Sequence, residues 1–369
     1  MSIPRSPLLD ALPPISVAGR ADRVRAALPD GVDALVVSNL TNVRWLTGFT
    51  GSNGILIITP DALTLVTDSR YTAQGPEQVA RAGSGATVEI GPDLIPLGAA
   101  VLGDHRTVGL EADHATWAAQ RRWAATLPDA DLAPVEALVI ELRSVKDDAE
   151  LARMEAAAAL TDEALADAQA LLVAGSTERQ VSLALDDGIR RRGGSGPAYE
   201  TIVASGPNAA LPHARPSDRI FEPGDLVVID VGGLVEGYRS DMTRTFVIGD
   251  PDDRAVELVD LVTRAQAAGV AMARPGVTAA DVDGACRDLI THEGHGEAFS
   301  HGTGHGVGLD IHELPSIRRT NTAILQPGQV ITVEPGVYYP GYGGVRVEDS
   351  VVITQTGCRP LTHSPKLAL

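Results

Sequence analysis

Short β-branched runs alternate with helical patterns along the first 140 residues. DALVVSN (33–39) and GILIIT (54–59) are apolar and bounded by turn residues, and ALTLVTDSRY (62–71) continues in the same way, so three strands are predicted there. Residues 99–127 are richer in Ala, Arg and Trp and predict mainly helix. This alternation describes an α/β domain of modest size. Beyond it, Asp147 and Glu150 have the spacing of a capping box, and the Ala- and Leu-rich run to Val173 stops before Gly175. Thr177 and Gln180 repeat the signal for a second helix that ends near Gly193 and Gly194. The boundary therefore falls near residue 143, giving domains 1–142 and 143–369. From Asp225 onward the pattern becomes β-hairpins interrupted by two helices, about 252–273 and 278–291, which makes the second domain α+β.

Composition narrows the classes. A chain of 369 residues with 44% hydrophobic and 21% charged positions can bury two cores without disulfides. Its net charge of −18 opposes nucleic acid and anionic membrane surfaces as partners. The opening segment MSIPRSPLLDALPP lacks a continuous apolar core, so no secretory leader is expected, and no run is long enough to predict a membrane span. Two cysteines, Cys286 and Cys358, far apart in sequence, fit a reducing cytoplasm. GFTGSNG (48–54) has neither the glycine order nor the following helix of a phosphate loop.

Candidate chemistry concentrates in the second domain. Four apolar residues, Leu226 to Ile229, run directly into Asp230, and a bare carboxylate at the end of a buried strand is costly. Glu236-Gly237 is a plausible hairpin turn, which would set Thr243 opposite Asp230 and bring Asp241 diagonally beside it. Two such carboxylates repel unless protonated or bridged by a cation. HGTGHGVGLDIHE carries His301, His305 and His312; its glycines oppose the helix that an HExxH zinc site requires and instead predict an extended segment. QVITVEPG ends a strand at Glu334, and GGVRVEDSVVIT is predicted as one strand with Arg346 and Glu348 on a shared face. The alternative for that last pair is a surface Arg–Glu contact. Asp230, Asp241, His305, Glu334 and Glu348 together offer four carboxylates and one imidazole. Four negative charges balance two divalent ions, and an oxygen-rich set with one histidine suits Mn²⁺, with Co²⁺ or Zn²⁺ possible. Two such ions can activate water and polarise a carbonyl.

These motifs resemble the creatinase/prolidase/aminopeptidase P/methionine aminopeptidase superfamily of pita-bread metallopeptidases. The resemblance runs from about Leu142 to the C-terminus, and all five candidate ligands match the family pattern in order. It implies a pita-bread catalytic domain, with Asp230 on one ion, Asp241 and Glu348 bridging both, and His305 and Glu334 on the other. SGPNAALPHARPSD also matches, making His213 a pocket histidine, with His301 and His312 as two more and Arg346 orienting ligand carboxylates. Glu334 is the implied general base. NVRWLTGFTGSNG (42–54) and TDSRYTAQ (67–74) resemble the smaller α/β creatinase-type N-terminal domain. Small methionine aminopeptidases lack that domain and creatinase lacks the metal ligands. The expectation is hence a homodimeric, two-metal peptidase cleaving Xaa-Pro bonds in small peptides. A dipeptidase (prolidase) is favoured, aminopeptidase P on longer peptides is the alternative, and a non-catalytic pita-bread binding protein is a remote third. A dipeptidase needs a cation at the substrate carboxylate, for which His301, Arg215, Arg219 and arginines of the first domain are candidates.

Overall fold

The run Ala34–Val37 forms β1, buried at all four positions in the middle of a six-stranded sheet. β2 (Gly54–Ile58) and β3 (Leu63–Thr67) join it as an antiparallel meander, and β4 (Thr87–Ile90) lies parallel to β3. On the other side β5 (Thr107–Glu111) and β6 (Asp131–Val135) run parallel to β1. Parallel neighbours need crossovers. The helices of this unit are α1 (Arg20–Ala27), α2 (Leu40–Thr47), α3 (Gln74–Ala82), α4 (Leu94–Leu102), α5 (Trp117–Thr126) and α6 (Leu138–Ser144). Asn39 starts α2 by accepting the Thr41 N–H at 2.9 Å, and Gly48 ends it at φ 77°, where glycine is favoured. The stretch 99–127 is not mainly helical. β5 lies inside it, with Val108 and Leu110 buried, because a strand this short leaves little pattern between two Ala-rich helices.

The computed structural model describes residues 5–367 and divides into two units, Pro14–Arg143 and Ser144 onward together with the residues up to Pro13. The first residues of the opening segment read as lacking a leader lie outside the described residues. The amino-terminal segment thus goes with the second unit, unlike the division 1–142 expected from sequence. The Ser6 N–H donates to the Arg192 carbonyl at 2.9 Å, Arg153 Nη1 to the Pro13 carbonyl at 2.9 Å, and Leu9 and Leu12 pack on Ala156, Ala157, Leu160 and Val235.

In the second unit, α7 (Asp148–Ala168) and α8 (Glu178–Arg191) both begin with complete capping boxes, Asp147/Glu150 and Thr177/Gln180. A short β7 (Gly196–Pro197) precedes β8 (Ile202–Ser205), β9 (Leu226–Val231), β10 (Gly233–Val235), β11 (Tyr238–Arg239) and β12 (Met242–Val247). The sheet β12-β9-β8 covers α7 and α8 through Leu165, Val181, Leu185, Val203, Val227, Ile229 and Met242. α9 (Asp253–Met272) and α10 (Ala279–His292) follow, N-capped by Asp252 and Thr278. The chain finishes with β13 (Gly304–Gly306), β14 (Glu313–Ile317), β15 (Val330–Val333), β16 (Gly336–Tyr339), β17 (Gly343–Arg346), β18 (Asp349–Ile353) and β19 (Cys358–Pro360). Those strands form the sheet β14-β13-β15-β18-β19 and the pair β16-β17. Val259, Val262, Cys286, Ile331, Val333, Val345 and Val351 join α9 and α10 to them in one core. Among the described residues no helix is long and apolar enough to cross a membrane.

Candidate metal centre

β9 and β12 pair with Thr243 opposite Asp230, the register predicted from the turn. Glu236 and Gly237 form that turn with φ of 44° and 86°, the two positive values a tight hairpin of this twist requires, and β10 pairs with β11 across it. Asp230 therefore lies one residue from the end of a buried strand, and Asp241 stands immediately before its partner. The sheet face is fixed by apolar residues, so both carboxylates are carried to one place.

The histidine segment is extended, as its glycines predict. β13 is sandwiched between β14 and β15, and the register shifts between Gly304 and Gly306, leaving His305 at a bulge. A Cβ on Gly304 would stand 2.1 Å from the Thr332 carbonyl oxygen, so the close approach itself demands glycine. The His305 N–H donates to Thr332 Oγ1 at 3.1 Å, and its Nδ1 lies 2.9 Å from the Gly306 carbonyl oxygen. A carbonyl only accepts, so Nδ1 carries the proton and Nε2 presents its lone pair. That nitrogen is 3.4 Å from Glu334 Oε1 and 3.6 Å from Asp241 Oδ2. Glu334 sits directly after β15, anchored by its N–H to the Thr303 carbonyl at 2.7 Å.

GGVRVEDSVVIT is two strands and not one. Arg346 ends β17, β18 begins at Asp349, and the chain changes partners between them: the Val347 N–H reaches the Pro335 carbonyl and the Glu348 N–H the Thr243 carbonyl. Glu348 is held in this break, its Oε2 accepting from Thr243 Oγ1 at 2.8 Å. Arg346 is 3% exposed and pairs with Asp230, Nη2 to Oδ2 at 2.6 Å, which removes the reading of a surface Arg–Glu contact.

Asp241, His305 and Glu348 each offer a ligand atom, all within 4.8 Å of one another. They line a cavity of about 410 Å³ together with Asp230, Glu334, His213, His301, His312 and Arg346, so the five candidate ligands, the three histidines and Arg346 reach the same space, whereas Arg219 does not line it. Burial first, then Asp230 and Glu334, push the Asp241 carboxyl well above its ordinary range. Burial again, followed by Asp241, Glu334 and Asp230, does the same for Glu348. Four converging carboxyls and one imidazole with its lone pair turned toward them form a donor set that divalent cations fit, since cations relieve the repulsion that otherwise drives proton uptake.

His301 is tied down at both nitrogens: Nδ1 donates to the Gly302 carbonyl at 2.7 Å, so Nε2 accepts from the Tyr338 hydroxyl at 2.8 Å. Tyr338 in turn accepts from Arg346 Nη1 at 3.0 Å. His312 stands edge-on to His305 with ring centres 4.4 Å apart, its pKa lowered by burial and then by His305. Sequence reasoning missed Tyr199 and Tyr338. The Tyr199 hydroxyl lies 2.5 Å from both Asp230 Oδ1 and Asp241 Oδ1, and burial followed by those two charges raises its pKa well above the usual tyrosine range. A tyrosine in GPAYE gives no periodic or charge signal that could have singled it out.

Known proteins share this architecture. Residues 152–355 match the model of metallopeptidase family M24, and residues 20–145 that of the creatinase/prolidase N-terminal domain. A Xaa-Pro dipeptidase of Pyrococcus horikoshii is 34% identical over 91% of this chain and 94% of its own length. The solved Xaa-Pro dipeptidase of Bacillus anthracis superposes with a TM-score of 0.91 at 35% identity, covering 95% of this chain and 98% of that one. An X-Pro aminopeptidase of Thermotoga maritima gives 0.85 at 34% identity over 94% and 99% of the two chains. Matched along both units by family model, relatives and fold, this chain belongs to metallopeptidase family M24, with a pita-bread domain behind a creatinase/prolidase N-terminal domain.

Proposed function

We propose that this chain is a Xaa-Pro dipeptidase in which Asp230, Asp241, His305, Glu334 and Glu348 would hold two divalent ions, Mn²⁺ best matching the oxygen-rich donor set. The observation that carries this is the convergence of Asp241, His305 and Glu348 in one cavity with the other two carboxylates. Asp241, His305 and Glu348 would form the centre of that set, with Asp230 and Glu334 completing it. When bound, the ions supply the Lewis acidity that polarises the scissile carbonyl and acidifies the attacking water. The protein's own groups do the rest. Glu334 takes the proton from the water and delivers it to the departing proline nitrogen. His213 and His312, at the cavity rim, donate to the oxyanion of the tetrahedral intermediate. Arg346 and Tyr199 hold Asp230 and Asp241 in register. The similarity to the Thermotoga X-Pro aminopeptidase supports the second reading, an enzyme for longer peptides. Retention of all five donors opposes a non-catalytic binding role.

A homodimer in the cytoplasm completes the proposal; the two cysteines, both free, support the compartment. Hydrolysis of Leu-Pro, Leu-Pro-Ala and Leu-Ala with added Mn²⁺ tests it. Cleavage of Leu-Pro at least tenfold more efficiently than the other two is expected, and equal cleavage of Leu-Ala would overturn proline specificity. Light scattering at assay concentration tests the dimer.

A further inference from the structure

Building on the dipeptidase reading, we propose that Arg215, paired with Glu200 at the cavity mouth, is the specificity residue that receives the free carboxylate of the substrate's proline. A dipeptide brings a full negative charge into a cavity lined by Glu200 besides the four ligand carboxylates, whose charge two divalent ions would only balance. Selective binding therefore needs a dedicated cation. Among the described residues lining the cavity, the permanent cations are Arg215 and Arg346. Arg346 is engaged at every nitrogen, donating from Nε to Thr243, from Nη1 to the Pro212 carbonyl and Tyr338, and from Nη2 to Asp230. The other candidates within this unit are committed too. His301 has both nitrogens engaged. Arg219 does not line the cavity and binds Asp225 with both terminal nitrogens and Ser205 with one.

Arg215 differs in two respects. Its side chain is 80% exposed and engaged through Nη1 with Glu200 Oε2 at 2.5 Å, which leaves the remaining edge of the fork for a second carboxylate. An exposed pair of this kind is weak, so an arriving carboxylate can share or displace it. The presentation is nevertheless fixed. The loop carrying His213 and Arg215 is held at one end by the Arg346 bond to the Pro212 carbonyl. At the other end the buried Glu178 carboxylate accepts from Ser217 N–H and Oγ, and it also accepts from Asn208 Nδ2 ahead of the loop. Glu200 is next in sequence to Tyr199, which bonds Asp230 and Asp241. The pair is thus mounted on the same residues that position the ligands.

The test compares Leu-Pro with Leu-Pro-amide, which differ only in the charge at the carboxyl end. Wild type should favour Leu-Pro by tenfold or more in kcat/KM. Arg215→Gln should reduce that ratio at least tenfold through the KM of Leu-Pro, and Arg215→Lys should restore part of it. Glu200→Gln should lower the KM for Leu-Pro by releasing the guanidinium. As a readout of binding alone, Arg215→Gln should raise the inhibition constant of free proline and leave that of prolinamide within twofold. An Arg215→Gln enzyme that keeps the wild-type ratio overturns the assignment and leaves the dipeptidase reading standing. A wild type that prefers the amide and Leu-Pro-Ala to Leu-Pro overturns both.

Discussion

Every nitrogen of the Arg346 guanidinium is engaged, spanning Thr243, Pro212, Tyr338 and Asp230 at 2.6–3.2 Å. An ammonium cannot reproduce that fork. Arg346→Lys is expected to lower kcat about 10–100-fold, the usual effect of loosening groups that orient metal ligands, while the protein stays folded. Steady-state kinetics beside a thermal melt checks this, and an unchanged kcat removes Arg346 from the machinery. A different residue-scale prediction concerns Cys286. Burial raises its thiol to about 12, so the thiolate fraction at pH 8 is about one in ten thousand. Iodoacetamide should leave Cys286 unmodified in the native protein and label it after denaturation, read by peptide mass spectrometry; rapid native labelling would show that its core opens.

Helix α10 acts on the site without entering it. Asp283, with its side chain wholly buried, pairs with Arg287 at 2.8 Å and accepts from the Thr303 N–H and hydroxyl. Arg287 reaches on to the carbonyls of Phe299 and His301 and lies over the Phe299 ring at 4.0 Å. Arg287→Ala leaves a buried carboxylate without its countercharge, which costs about 3–5 kcal/mol. A lowered melting temperature and a lowered kcat are expected together, because the backbone of the histidine segment loses its clamp; an unshifted melt would contradict the structural reading of this pair. The element scale is also where the sequence is most legible. Capping boxes at Asp147 and Thr177 and the Glu236-Gly237 turn are local chemistry, and local chemistry fixed the helix starts and the Asp230–Thr243 register. The break at Val347 was hidden because the β-branched run continues through it and only a partner exchange with Thr243 and Pro335 marks it. β5 was hidden among alanines, and Tyr199 has a role only through long-range contacts.

At the scale of the molecule, the ligand cluster couples ion binding to folding. Asp241 and Glu348 have carboxyls raised by burial and by their neighbours, so a chelated folded state binds more protons than the unfolded chain above about pH 4. Its stability falls as pH rises through that window. Ion-loaded protein keeps these carboxylates ionised and behaves in the opposite sense. The melting temperature gained on loading Mn²⁺ should therefore be larger at pH 8 than at pH 5.5, measured by calorimetry on one preparation; a gain that does not change with pH would contradict the link between these two carboxyls and the ions.

The most direct measurement is a back-titration of exhaustively chelated protein with Mn²⁺, following Leu-Pro hydrolysis against ions bound per chain. Activity should be absent at the start and reach its maximum near two ions, as the five donors around Asp241, His305 and Glu348 require. Full hydrolysis at fewer than about one ion in ten chains would contradict a metal-dependent centre in this cavity.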